Sequence, residues 1–202
     1  MDIFLKVYVP VYMAVFFLAA MLLPSWLLYR RTGVNPVTFG KGAESAHDYI
    51  GLVFKLIFSV VTVYVICNSF TGFGKLAFMD TPVLSTAGIV LSLLSLAFIL
   101  AAQRTMADSW RIGIDEKVKT ELVTTGIFSR VRNPIFSGML LVLASLFLLI
   151  PTSFTAFVAI LSYILINIQV RLEEEFLARV HGERYLEYKK RAGRFLPRLL
   201  RR

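Results

Sequence analysis

Ile135–Val170 reads IFSGMLLVLASLFLLIPTSFTAFVAILSYILINIQV, with no Asp, Glu, Lys or Arg in it. A proline inside a helical pattern breaks it, and Pro151 divides this stretch into two arms, Ile135–Ile150 and Thr152–Val170. In lipid a lone segment satisfies its own backbone groups only as a helix, so the stretch predicts an apolar helical hairpin. Its first arm has 16 residues. At 1.5 Å per residue that is roughly 24 Å, short of a hydrocarbon core of about 30 Å. Charge resumes at once on both sides, with Arg130 and Arg132 before the hairpin and Arg171-Leu172-Glu173-Glu174-Glu175 after it. A hairpin returns the chain to the side it came from. The two charged segments are therefore expected at one membrane face.

Three further apolar runs precede the hairpin: Val7–Tyr29, Tyr49–Phe70 and Val83–Ala102. With 57% hydrophobic residues and a mean hydropathy of +0.70, the chain lies well outside soluble composition. The prediction is an all-α, polytopic membrane helical bundle of about five transmembrane helices. It forms one membrane domain over 1–202, with three spans in 1–102 and the half that bears the 135–170 hairpin in 103–202. The first run follows Lys6 but is too long for a signal-peptide core, so it reads as a retained span, with Pro10 and Pro24 as kinks or end residues. Cys67 lies in an apolar run and reads as a small buried residue; a single cysteine permits no internal disulfide. Of the 22 Lys and Arg residues, all but Lys6, Lys55 and Lys75 fall in 30–48, 103–132 and 171–202, which five spans place on one side. The positive-inside rule makes that side cytoplasmic and the N-terminus external. The net charge of +9 is distributed as membrane topology requires, which argues against nucleic acid and for contact with anionic lipid headgroups.

Chemistry-bearing residues cluster at the charged ends. Asn133 and Pro134 suit a helix N-cap and first turn. Glu173, Glu174 and Glu175 read either as a solvated helix face or as a source of one carboxylate directed back to the interface, where carboxylates are costly and mark sites. Tyr185 and Tyr188 suit an interfacial aromatic belt. His47 and His181 stand isolated, and neither a metal-ligand spacing, a glycine-rich phosphate loop nor a Ser-His-Asp arrangement is legible.

In order, the chain carries Leu122-Val123-Thr124-Thr125-Gly126-Ile127-Phe128, Arg132-Asn133-Pro134-Ile135-Phe136, the apolar hairpin, Glu173-Glu174-Glu175-Phe176-Leu177, Gly182-Glu183-Arg184-Tyr185-Leu186-Glu187-Tyr188 and Arg194-Phe195-Leu196-Pro197. This succession resembles the isoprenylcysteine carboxyl methyltransferase and phospholipid methyltransferase superfamily of integral-membrane enzymes, over the half of the chain from about Trp110 onward. The resemblance implies S-adenosyl-L-methionine as methyl donor and a lipophilic acceptor, isoprenylcysteine-carboxylate-like or lipid-like. By motif position it assigns cofactor binding to Thr120, Glu121, Leu122, Val123, Phe128, Asn133, Pro134, Ile135, Phe136 and Glu173. Arg132 and Arg194 take catalytic roles, holding a carboxylate of cofactor or substrate through forked hydrogen bonds. Gln169 and Arg194 face the substrate. Phe128 and Phe136 offer aromatic faces, and Glu173 a compensating charge, to a cationic sulfonium. Asn133 stands where the family has histidine, and Phe128 and Phe136 stand where it has tyrosines. Gln169 occupies the place of a substrate-binding arginine in the protein-methylating branch. An NADPH-dependent membrane reductase related to sterol reductases, and a non-catalytic membrane scaffold, are the alternative readings.

Overall fold

The computed structural model describes residues 3–33, 35, 46–72, 74–110 and 121–198, apart from the side chains of His47 and Asp108. The described chain is helical, with isolated bridges in place of strands. Helix α1 is Ile3–Thr32, α2 Ala46–Thr71, α3 Pro82–Met106, α4 Pro134–Leu149, α5 Ser153–His181 and α6 Glu183–Arg191. The first three and α5 are long and apolar enough to cross a membrane, and α4 is the shorter apolar arm of 16 residues. The expected polytopic bundle is present, and the chain is an integral membrane protein. Between α2 and α3, Lys75 pairs with Asp80 at 2.6 Å.

Helix α1 passes both prolines without breaking, through a π-helical turn at Leu18–Leu22. Pro24 has no N–H for the carbonyl four residues earlier, that of Ala20, and a wide turn absorbs the ring. Gln103 of α3 supplies the missing donor, its Nε2 lying 2.6 Å from the Ala20 carbonyl oxygen. The buried backbone group is thus satisfied between helices, as membrane prolines require.

Small residues set the tightest packing, between α3 and α4. A Cβ built at Gly88 would lie 2.9 Å from Leu149 Cγ, and one at Gly138 would overlap Ile99. In lipid, where apolar surface gains little by leaving its surroundings, such close backbone approach supplies much of the helix attraction. Helix α1 is tied to α3 by an aromatic ladder with hydroxyl tips. Tyr8 and Tyr12 stack at 6.1 Å; the Tyr8 hydroxyl meets Ser92 Oγ at 2.6 Å and the Tyr12 hydroxyl donates to the Ser92 carbonyl at 2.9 Å. Cys67 departs from expectation. It is exposed on the outer side of α2, because the buried face of that helix is taken by Val61, Val65 and Asn68.

Candidate functional site

The apolar part of α5 ends at Val170, but the helix continues to His181 and carries the three glutamates with it. Glu173 is partly exposed, Glu174 buried and Glu175 exposed. Successive residues on a helix point about 100° apart, so only one of the three is directed into the bundle. That residue is Glu174, its side chain 3% exposed. Arg132 reaches it through Nε and Nη2, 3.2 and 3.0 Å from Oε1. Arg194 reaches it through Nη2, 2.9 Å from Oε2, and Nε, 3.3 Å from Oε1. Asn133 Nδ2 donates to Oε1 at 3.2 Å, and Lys189 Nζ lies 3.8 Å from Oε2. Residues far apart in the chain thus meet on one carboxylate. The hairpin does bring its two charged flanks to one face.

The segment after α6 is stitched to the loop before α4. Gly193 N–H donates to the Arg130 carbonyl at 2.9 Å, Arg132 N–H to that of Gly193 at 2.8 Å, and Asn133 N–H to that of Arg194 at 3.1 Å. Arg132 Nη1 donates to the Ala192 carbonyl, and Ser137 Oγ to the Phe195 carbonyl at 2.7 Å. Gly193 is required here by space, since a Cβ would overlap the Leu196 carbonyl oxygen. From α6, Tyr185 and Tyr188 are buried with Leu122 and Ala192, and the Tyr188 hydroxyl donates to the Phe128 carbonyl at 2.7 Å. These tyrosines fill a small core under the site and form no aromatic belt. The Tyr185 hydroxyl is buried without a hydrogen-bond partner among the described residues.

The candidate cofactor residues fall into three groups. Leu122, Phe128, Asn133 and Pro134 are buried; Val123, Ile135, Phe136 and Glu173 are partly exposed; Glu121 is exposed. Thr120 lies outside the described residues. Gln169 is buried on α5, one turn before Glu173. Asn133 holds the N-cap position of α4, yet its side chain caps nothing: its amide is turned so that Nδ2 donates to Glu174 and the Arg194 carbonyl, and no backbone N–H of the first turn donates to it. Sequence reasoning selected Glu173 by motif position and missed Glu174. Helical spacing alone does not say which of three adjacent glutamates faces inward.

Electrostatics separate the two neighbours. Burial would raise the Glu174 carboxyl, but hydrogen bonds from Arg194 and the charge and hydrogen bonds of Arg132 outweigh it and hold the group below its ordinary value. Glu173 makes no ion pair or hydrogen bond among the described residues. Desolvation, and then the charge of Glu174, push it up to about 7. Arg194 is raised by its bonds to Glu174, whereas Tyr185 and Tyr188 are raised mainly by burial. One carboxylate is structural and saturated; the other is uncompensated.

The family model described as phospholipid methyltransferase matches residues 83–184, from the start of α3 to the second residue of α6. No curated protein matches the chain. The matched residues contain both hairpin arms, the Arg132–Phe136 segment and the glutamates, while Lys189 and the stitched segment around Arg194 lie beyond them. A helical membrane bundle, a charged site at the mouth of its hairpin and this match agree, and the chain belongs to the phospholipid methyltransferase family of membrane enzymes.

Proposed function

We propose that the chain transfers a methyl group from S-adenosylmethionine to a lipid-type acceptor at the charged mouth of the α4–α5 hairpin, on the cytoplasmic face. The observation that carries this reading is the pairing of a saturated Glu174 with an uncompensated, partly buried Glu173 beside it. A carboxylate left without a partner at a membrane interface calls for a cation. S-adenosylmethionine supplies an electrophilic methyl on a cationic sulfonium.

The residues present fit such a ligand. Glu173 offers the compensating charge, Phe128 and Phe136 supply aromatic surface, and the buried Tyr185 hydroxyl still has a hydrogen bond to give. Glu121, Leu122, Val123, Asn133, Pro134 and Ile135 are assigned the rest of the cofactor contacts by their places in the motifs. Arg132 is a positioning residue, since its Nε, Nη1 and Nη2 are all engaged within the protein. Arg194 is one-third exposed and keeps Nη1 without a partner among the described residues, so it is the arginine able to meet a ligand. Gln169 lies deeper on α5, on the path of a lipophilic acceptor arriving from the bilayer. Because α4 is short, that path opens just below the headgroups. Transfer between aligned groups in a water-poor site needs little covalent help from the protein.

Calorimetry on the detergent-solubilised chain tests the reading. S-adenosylmethionine is expected to bind, and Glu173→Ala to weaken it about tenfold or more, the loss typical of one desolvated charge contact. S-adenosylhomocysteine, which lacks the sulfonium charge, is expected to be affected less. Binding of NADPH with none of either adenosyl compound would assign a reductase instead.

A further inference from the structure

Phe157, Ile160, Ile164, Asn167, Arg171 and Glu175 recur every three or four residues of α5 and so share one side of it. That side faces away from the bundle: Asn167 is partly exposed and the other five are exposed. Asn167 precedes Arg171, the first charge after the apolar span, by four residues. That rise of about 6 Å places its amide below the headgroups. Its Nδ2 donates to the Tyr163 carbonyl at 2.8 Å. An amide has two hydrogens to give and an oxygen to accept, and here the second hydrogen and Oδ1 have no partner among the described residues. Lipid tails offer none, and a polar group left unpaired in hydrocarbon costs free energy. Ser59 and Thr62, on the outer side of α2, are not in this position. Each has one hydrogen, already donated to the carbonyl of Lys55 at 2.9 Å or of Phe58 at 2.8 Å.

Charge decides what covers this side. Arg171 and Glu175 stand one turn apart on it, and neither makes an ion pair among the described residues. A strip that carries a cation and, one turn on, an anion is complementary to a second copy of itself. Copies in one membrane insert the same way round, so a two-fold axis relating them runs along the bilayer normal and residues of equal depth meet. Each Arg171 then faces the Glu175 of the other copy, and the pairing occurs twice. Deeper in the membrane the two Asn167 amides meet. Each offers the hydrogen and the oxygen that match the groups left unpaired on the other.

We propose that this side of α5 is the interface of a homodimer, with the Asn167 amides paired within the membrane and Arg171 paired with Glu175 across the axis at the charged end. Ile160 and Ile164 fill the seam between the two helices. The asparagine pair fixes the register, as a lone amide does on the seam of a coiled coil, and adds an interhelical hydrogen bond where lipid supplies none. Because Arg171 and Glu175 bracket the clamped Glu174 in the chain, the two charged mouths come to lie side by side on one membrane face. The dimer goes beyond the chemistry proposed above and holds whatever the acceptor.

The test uses the full chain with a C-terminal fluorescent protein, reconstituted in phosphatidylcholine vesicles over a range of protein-to-lipid ratios. Photobleaching steps are counted vesicle by vesicle. The parent chain is expected to pass from one step to two as the ratio rises and to level off at two. Asn167→Leu is expected to lower the association constant about tenfold, the scale of an interhelical amide bond in a membrane, while Asn167→Gln keeps most of it. Arg171→Glu sets like charges against each other and is expected to weaken association. Adding Glu175→Arg to it is expected to restore the dimer, which separates charge pairing from lost folding, and circular dichroism checks that each variant keeps its helices. A parent chain that bleaches in one step at every ratio would overturn the proposal. So would a dimer that Asn167→Leu and Arg171→Glu leave intact, because its interface then lies on another face. Failure of the double reversal to recover association in a chain that keeps its helices would overturn it as well.

Discussion

The two ends of the α4–α5 hairpin are built on opposite plans. At the turn, Thr152 and Thr155 cap each other: Thr155 N–H donates to Thr152 Oγ1 at 3.2 Å and Thr152 N–H to Thr155 Oγ1 at 3.1 Å. Thr155 Oγ1 also donates to the Ile150 carbonyl at 2.6 Å, and Tyr64 and Leu76 add one bond each from neighbouring segments. Every group is neutral, and most partners are within five residues. At the mouth, a single carboxylate gathers Arg132, Asn133, Lys189 and Arg194 from three separate stretches, and cations outnumber it. The turn is satisfied mostly by its own residues. The mouth is satisfied only by the folded chain, and it leaves Glu173 without an ion pair or hydrogen bond among the described residues.

The largest expected difference between the ends comes from Glu174→Ala. Removing it leaves Arg132, Arg194 and Lys189 mutually repelling and partly buried, a loss of about 3–5 kcal/mol for a broken buried pair. Thermal unfolding in detergent is expected to shift sharply downward, with ligand binding abolished. An unchanged midpoint would mean that the cluster is solvated and carries no stability. Next comes Gly193→Ala, whose Cβ must displace the Leu196 carbonyl; overpacking of this kind costs about 1–3 kcal/mol. Limited trypsin digestion is expected to cut after Arg194 or Arg198 much faster than in the parent chain, with the membrane helices intact.

At the turn, Thr152→Ala removes a cap and strands the Tyr64 hydroxyl. A loss of about 1–2 kcal/mol is expected, with S-adenosylhomocysteine affinity unchanged. Loss of binding here would show that the ends communicate. The smallest effect is a pH slope. Because Glu173 is raised in the folded protein, its contribution to stability is fully present below its ordinary value and lost as pH rises through about 7. Glu173→Gln is therefore expected to remove the decline in unfolding midpoint between about pH 5 and 8 and to equal or exceed the parent at the upper end. A slope that survives the substitution would place the titrating group elsewhere.

The contrast also explains what could be read in advance. The hairpin was legible because absence of charge over Ile135–Val170 admits one solution in lipid, and Pro151 marks its bend. Arg132, Asn133 and Arg194 were legible through their order along the chain, and the structure does bring them together. The choice of Glu173 over Glu174 was not decidable, because the two differ only in which helix face packs inward. Asn133 looked like a cap, since nothing local reveals that a carboxylate 41 residues away competes for its amide. Tyr185 and Tyr188 looked interfacial for want of knowing that Leu122 and Ala192 would cover them. Cys67 looked buried because hydropathy in a membrane chain does not distinguish a helix neighbour from lipid.

What the amino-acid order determined by itself is therefore the set of helices and the stretches between and after them where charge gathers. These follow from hydropathy and backbone hydrogen bonding, which act within each segment. Tertiary structure alone decided which glutamate is clamped and which is left open, which carbonyl Gln103 completes, and how Arg132, Lys189 and Arg194 come to share one carboxylate. Those outcomes depend on side-chain direction and on partners tens of residues away, where local preference carries no information.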